Sequence, residues 1–199
     1  MPKQLFITNA RISFANGLFE ASSLEPNQTP KFGADFILQP DSKVFEIDAQ
    51  GNRKPTTLKQ AELEVATETW KANGAKMLAS LEPSKRAVRD GSLRVNKNGD
   101  VYDGYEGNTY VTAKSATRPT VIDADKTPLS QSDGRIYSGC YVNVRLDLYG
   151  NAVPAKKGVF AGLKGVQFAR DGDAFGGGAP ARADEFDDVS EGADAADIA

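Results

Sequence analysis

Residues 141–149 alternate without interruption, with Val142, Val144, Leu146 and Leu148 on one side and Tyr141, Asn143, Arg145, Asp147 and Tyr149 on the other. Successive side chains of a β-strand point to opposite faces, so this run reads as a strand with one face in the core and one in water. The rest of the chain must supply partners for such a half-wet sheet. Residues 4–14 (Phe6, Thr8, Ala10, Ile12 and Phe14 on one face), 32–38 (Phe32, Ala34, Phe36, Leu38), 108–115 and 157–169 show the same habit less regularly. Asn98-Gly99, set between Arg94-Val95 and Val101-Tyr102, predicts a hairpin closed by a two-residue turn.

One segment has a different period. Thr57 and Gln60 have the spacing of a helix-capping pair, and Ala61, Val65, Trp70, Met77 and Leu78 form an apolar stripe, which predicts a helix over 58–81 with a break at Asn73-Gly74. A mainly β body with a single central helix suits a Greek-key barrel of the oligonucleotide-binding (OB) type, in which a helix commonly lies between strands three and four. A β-sandwich satisfies the same pattern. Residues 171–180 turn Gly-rich, and the chain beyond them has too few large apolar side chains to bury itself. The expected organisation is an OB-fold-like domain over 1–172, a linker over 173–182 and an acidic disordered tail over 183–199.

That tail changes the meaning of the net charge. The whole chain carries −3, yet residues 183–199 hold seven carboxylates and no Lys or Arg, which leaves 24 basic against 20 acidic residues in 1–182, a body of +4. Such a split suggests a basic binding surface with an acidic tail. With 40% hydrophobic and 26% charged residues the composition is globular. No apolar run approaches the roughly 18 residues of a membrane span and no signal-peptide core follows the first residues, so a cytoplasmic protein without membrane contact is expected.

Catalytic chemistry is hard to place on this chain. It contains no histidine, which removes the usual general base and the commonest metal ligand, and its one cysteine, Cys140, sits in an apolar strand pattern and reads as a core thiol. Residues 158–165 are Gly-rich and basic but in the wrong order for a phosphate loop. Residues 123–128 begin like a calcium loop, yet Pro128 stands where the turn glycine belongs. Asp123, Asp125, Asp133 and Asp147 lack the spacing of a Mg²⁺ site. Neither metal nor cofactor is expected, and no enzyme.

What the chain does offer is a basic run interleaved with aromatics. Residues 85–118 hold Lys85, Arg86, Arg89, Arg94, Lys97, Lys114 and Arg118 against Asp90, Asp100, Asp103 and Glu106, with Tyr102, Tyr105 and Tyr110 among them. Cations neutralise phosphates and aromatic faces stack on bases of any sequence, so the mixture suits single-stranded nucleic acid. Tyr141, Arg145 and Tyr149, on the wet face of the best strand, extend that surface. Gly158, Gly162 and Gly165 read as places of sheet curvature or close backbone approach.

Several segments also resemble a known family. They are Tyr105-Glu106-Gly107, Ala113-Lys114-Ser115, Arg118-Pro119, Tyr137-Ser138-Gly139-Cys140-Tyr141-Val142 and, most specifically, Gly162-Leu163-Lys164-Gly165-Val166-Gln167-Phe168-Ala169-Arg170-Asp171-Gly172. In this order they resemble a bacteriophage family, first known only as a domain of unknown function, whose members are single-stranded DNA-binding proteins with an OB fold. The resemblance runs over about residues 4–176; Arg89-Asp90-Gly91 matches a further element, with Ser92 where an acidic residue is expected. It implies a non-catalytic, sequence-independent binder of single-stranded DNA in phage replication or recombination, in the cytoplasm of the infected host. The residues expected to carry binding are Arg86, Arg89, Lys114, Arg118, Arg145 and Lys164 on phosphates and Tyr105, Tyr110, Tyr141 and Tyr149 on bases. Acidic tails of replication-type binders contact partner replication proteins and compete with DNA, which gives residues 183–199 the same expected role, although Asp197-Ile198-Ala199 lacks an aromatic anchor. A homodimer is left open. The alternatives are a Mg²⁺-dependent nuclease and a phage assembly protein without DNA affinity.

Overall fold

In the computed structural model, which describes residues 2–23, 26 and 28–176, nine strands form one sheet that closes on itself. They are β1 (Lys3–Ser13), β2 (Phe32–Ile37), β3 (Lys43–Ile47), β4 (Arg53–Thr56), β5 (Val88–Asp90), β6 (Thr109–Ser115), β7 (Thr120–Ile122), β8 (Tyr141–Asn151) and β9 (Gly158–Arg170). The barrel runs β1-β2-β6-β9-β8 and back to β1, antiparallel throughout except for β6 beside β9. That is the five-strand Greek-key connectivity of the OB barrel. The hairpin β3–β4 extends the sheet from β1, while β5 lies beside β6 and β7 beside β9. Val142, Val144, Leu146 and Leu148 of β8 are fully buried, as the alternation requires, and meet Leu5, Ile7, Phe36, Val111, Leu163 and Phe168 in the core. Cys140 is buried among them, and burial pushes its thiol up to about 11.

β1 departs from its expected faces. Its first half buries Leu5 and Ile7, and its second half buries Ala10 and Ile12. Pairing with β8 slips between Ile7 and Ala10, where Asn9 adopts φ 55. A bulge inserts one extra residue and so exchanges inside for outside along the rest of the strand. Phe6 and Thr8 therefore face outward, and Phe14 is exposed with φ 58. The bulge is locked by its own hydrogen bonds: Asn143 Oδ1 accepts from Asn9 N at 3.2 Å, and Asn9 O accepts from Ser42 Oγ at 2.8 Å.

The helix forms where the capping pair places it, with Thr57 Oγ1 accepting from Gln60 N at 3.1 Å. It is two pieces, α1 (Leu58–Trp70) and α2 (Gly74–Ser80), joined by a 3₁₀ turn at Lys71–Asn73. Its place in the barrel differs from expectation: it lies between the second and third barrel strands, β2 and β6, after the β3–β4 hairpin. The connection between the third and fourth, β6 and β8, holds only β7 and a short 3₁₀ turn. α1 buries Leu58, Ala61, Val65 and Ala66 in the barrel core.

The Asn98-Gly99 hairpin also forms, but with a longer loop than the expected two residues. Val95 pairs with Val101, Asn96 N donates to Asp100 O, and Gly99 takes φ 90. Asn96 Oδ1 accepts from the amides of Asn98 and Asp100, which favours the longer loop. Residues 173–176, expected in the linker, lie on the barrel: Phe175 N donates to Ser138 O, and the Phe175 ring packs against the Tyr105–Tyr110 cluster. The rest of the linker and the whole acidic tail fall outside the described residues.

Candidate nucleic-acid interface

The strand registers set the outward side chains of β2, β6, β9 and β8 side by side. Gly33 stands opposite Lys114, Lys114 opposite Gly162, and Gly162 opposite Asp147. Nearby on the same pair of strands, Tyr149 stands opposite Phe160, their ring centroids 6.0 Å apart. Glycines on both sides of Lys114 leave a low floor, and the Tyr149 ring leans over Gly162, 3.9 Å from the point where a Cβ would sit. Tyr149 is 41% exposed and offers ring surface to solvent. On the other side of Asp147, Lys164 Nζ lies 3.4 Å and Arg145 NH1 3.7 Å from its carboxylate, so two cations share one anion. Of the expected site residues, the fold thus gathers Lys114, Arg145, Lys164 and Tyr149 into one strip with a floor, rings and net positive charge.

Other expected residues are used elsewhere. Arg86 NH2 pairs at 2.6 Å with Glu62, a fully buried carboxylate on α1 that also accepts from Val88 N at 3.0 Å. Arg89 donates to the carbonyls of Arg86 and Ser84. Both arginines fasten the α1-to-β5 corner. Tyr105 and Tyr110 are buried, correcting their assignment to bases: a ring inside the fold has no free face to stack. Tyr105 Oη donates to Asp35 Oδ2 at 2.7 Å, and burial, then the charge of Asp35, push its phenol far above the ordinary value. Tyr141 keeps its ring on the outer face, but Arg170 lies over it at 3.3 Å and Gly172 packs against it, so a base would have to displace Arg170. Arg118 is exposed and sits apart, over Phe19 at 5.6 Å.

The structure adds Phe160 and Phe14, which the sequence pattern did not assign to a binding surface. Phe160 belongs to the strip, and its signal was present as an aromatic among Gly158, Gly162 and Gly165. A second exposed group forms where the 94–102 hairpin is pinned over β2 and β6. Arg94 and Thr112 join Tyr105 on Asp35, with Arg94 NH2 at 3.2 Å and Thr112 Oγ1 at 2.6 Å. Above them Tyr102 and Phe14 meet edge to face at 5.4 Å, with Arg94 5.0 Å from the Phe14 ring. Phe14 escaped notice because its expected face was the core. The four aspartates named for Mg²⁺ do not converge: Asp123 pairs with Arg135 and Asp147 with Lys164, while Asp125 and Asp133 accept from amides of their own loops. Among the described residues no three His, Cys, Asp or Glu side chains gather as metal ligands.

A closed OB barrel carrying exposed rings beside unburied cations defines a nucleic-acid-binding domain. The chain belongs to the family described as "Enterobacter phage Enc34, ssDNA-binding protein", which it matches over residues 3–198. It is 38% identical over 187 residues to protein p50 of Acyrthosiphon pisum secondary endosymbiont phage 1, a match covering 92% of each chain. Among solved structures it is similar to the single-stranded DNA-binding protein from bacteriophage Enc34 in complex with ssDNA, with a TM-score of 0.63 at 20% identity over 87% of this chain and 89% of that one. A second structure of the Enc34 protein gives a TM-score of 0.58 at 22% identity, over 92% and 90% of the two chains.

Proposed function

We propose that the protein is a non-enzymatic binder of single-stranded DNA, indifferent to sequence, that coats strands exposed during phage replication or recombination in the cytoplasm of an infected bacterium. Family membership supports the ligand, and the observation that carries the reading here is the strip of Tyr149 and Phe160 beside Lys114, Lys164 and Arg145 on a glycine floor. A base needs a ring to stack on and its phosphate needs a cation within a nucleotide's length; neighbouring strands at about 4.8 Å spacing supply both. The strip's polar groups are partly taken up by one another, with Lys164 and Arg145 sharing the Asp147 carboxylate, which favours contacts to phosphates and ring faces over base edges. Residues 183–199 are proposed to compete with DNA for this surface and to recruit replication proteins to the coated strand. A fluorescence titration with labelled oligo-dT, duplex DNA and RNA of equal length tests the ligand. The expected order is tightest binding to oligo-dT; equal or tighter binding to duplex overturns the reading.

A further inference from the structure

Next to the strip, on the outer side of β1, β7, β8 and β9, lies a groove of about 280 Å³ that the strand-coating reading leaves unused. Phe6 and Ile122 form its apolar walls, while Arg145 and Lys164 stand at its cationic edge. Phe6 is there because of the β1 bulge: without the extra residue its ring would face the core. The ring is held in place by Arg53, whose guanidinium lies 3.7 Å from its centroid.

We propose that this groove receives a single unstacked nucleobase from the bound strand, with Phe6 as its contact ring and Arg145 and Lys164 on the adjoining phosphates. The proposal rests on the single-strand reading above. Three observations select this occupant. The volume is large enough to take a nucleobase. The walls are apolar and aromatic while the edge is cationic, which fits a flat ring joined to a phosphate and not a free anion or an aliphatic chain. Arg145 and Lys164 belong to both strip and groove, so a strand lying along the strip crosses the mouth of the groove. The groove has little means to choose among bases. Its two amides are already engaged: Asn143 Nδ2 donates to Gln167 Oε1 at 3.1 Å, Asn143 Oδ1 accepts from Asn9 N, and Gln167 Nε2 donates to Ala124 O. Any base is therefore admitted.

The test compares oligo-dT with an abasic oligomer of the same length. Phe6→Ala is expected to weaken oligo-dT binding about tenfold, the scale of one lost base-stacking contact, and to leave the abasic oligomer unaffected. Ile122→Trp, which fills the groove and leaves the β1 sequence unaltered, is expected to do the same and carries the test if Phe6→Ala does not fold. Ultraviolet crosslinking of the unaltered protein to oligo-dT should mark the tryptic peptide spanning residues 4–11. The groove proposal falls if both variants bind oligo-dT as tightly as the unaltered protein while Tyr149→Ala binds more weakly. It falls too if they lose oligo-dT and abasic binding equally, because the groove then serves the backbone. An unaltered protein that does not bind oligo-dT at all overturns the single-strand reading itself, and the groove with it.

Discussion

Tyr149 and Tyr105 are the same side chain in opposite circumstances, one 41% exposed on the end of β8 and the other wholly inside with its hydroxyl on Asp35. Tyr149→Ala is expected to weaken oligo-dT binding about tenfold, while Tyr149→Phe leaves it unchanged because stacking needs only the ring. Affinities of the two variants check this, and equal losses would point to the hydroxyl. The arginines divide in the same way. Arg86 neutralises Glu62, so Glu62→Ala leaves a guanidinium and the Val88 amide without their acceptor and is expected to cost about 3–5 kcal/mol in urea unfolding. A sequence displays which residues are charged or aromatic but not whom they meet. Glu62 sits directly after Ala61 on the apolar stripe, yet nothing local shows that Arg86 will be drawn to it. Lys114, Arg145, Lys164 and Tyr149 were legible because they lie on strands whose alternation tells outside from inside.

The elements were legible where a periodic pattern ran unbroken, as in β8 and in the capped start of α1. They were misread where one residue breaks the period. In β1, Asn9 at φ 55 exchanges the faces, and no propensity rule places a bulge from composition alone. The hairpin at Asn98-Gly99 gained loop length because Asn96 closes it with its own side chain. The helix sits one barrel connection earlier than expected, in the β2–β6 crossover, which also carries the β3–β4 hairpin that the strand pattern did not announce. The helix break has a steric cause beyond the Asn-Gly signal. A Cβ on Gly74 would come within 2.5 Å of Thr67 Cα, since α2 folds back against α1. Alanine in place of a helix glycine ordinarily stabilises by about 1 kcal/mol. Gly74→Ala is expected to reverse that sign and lower the thermal midpoint, which calorimetry would show.

At the scale of the whole molecule, charge decides behaviour. A strand bound through about four phosphates releases about 0.7 counterion for each, so raising salt from about 50 to about 200 mM is expected to weaken oligo-dT binding roughly fifty-fold. A titration series in which affinity does not move would remove the electrostatic account. Truncation after Ala181 deletes the seven carboxylates of residues 183–199 and is expected to tighten oligo-dT binding at low salt, with the gain shrinking as salt screens both interactions. The same affinity with and without those residues at every salt concentration would show that they do not visit the surface. The linear pattern foretold the barrel, whose closure depends on β9 reaching β6 and β8 together. That closure has a consequence for the chain's birth. A ribosome delivers residues in order, at about 5–20 per second, and the barrel cannot shut until β9 has been delivered. The newborn protein therefore spends its first seconds as an open sheet with unpaired edges, and the acidic segment leaves the ribosome only after every piece of the basic surface.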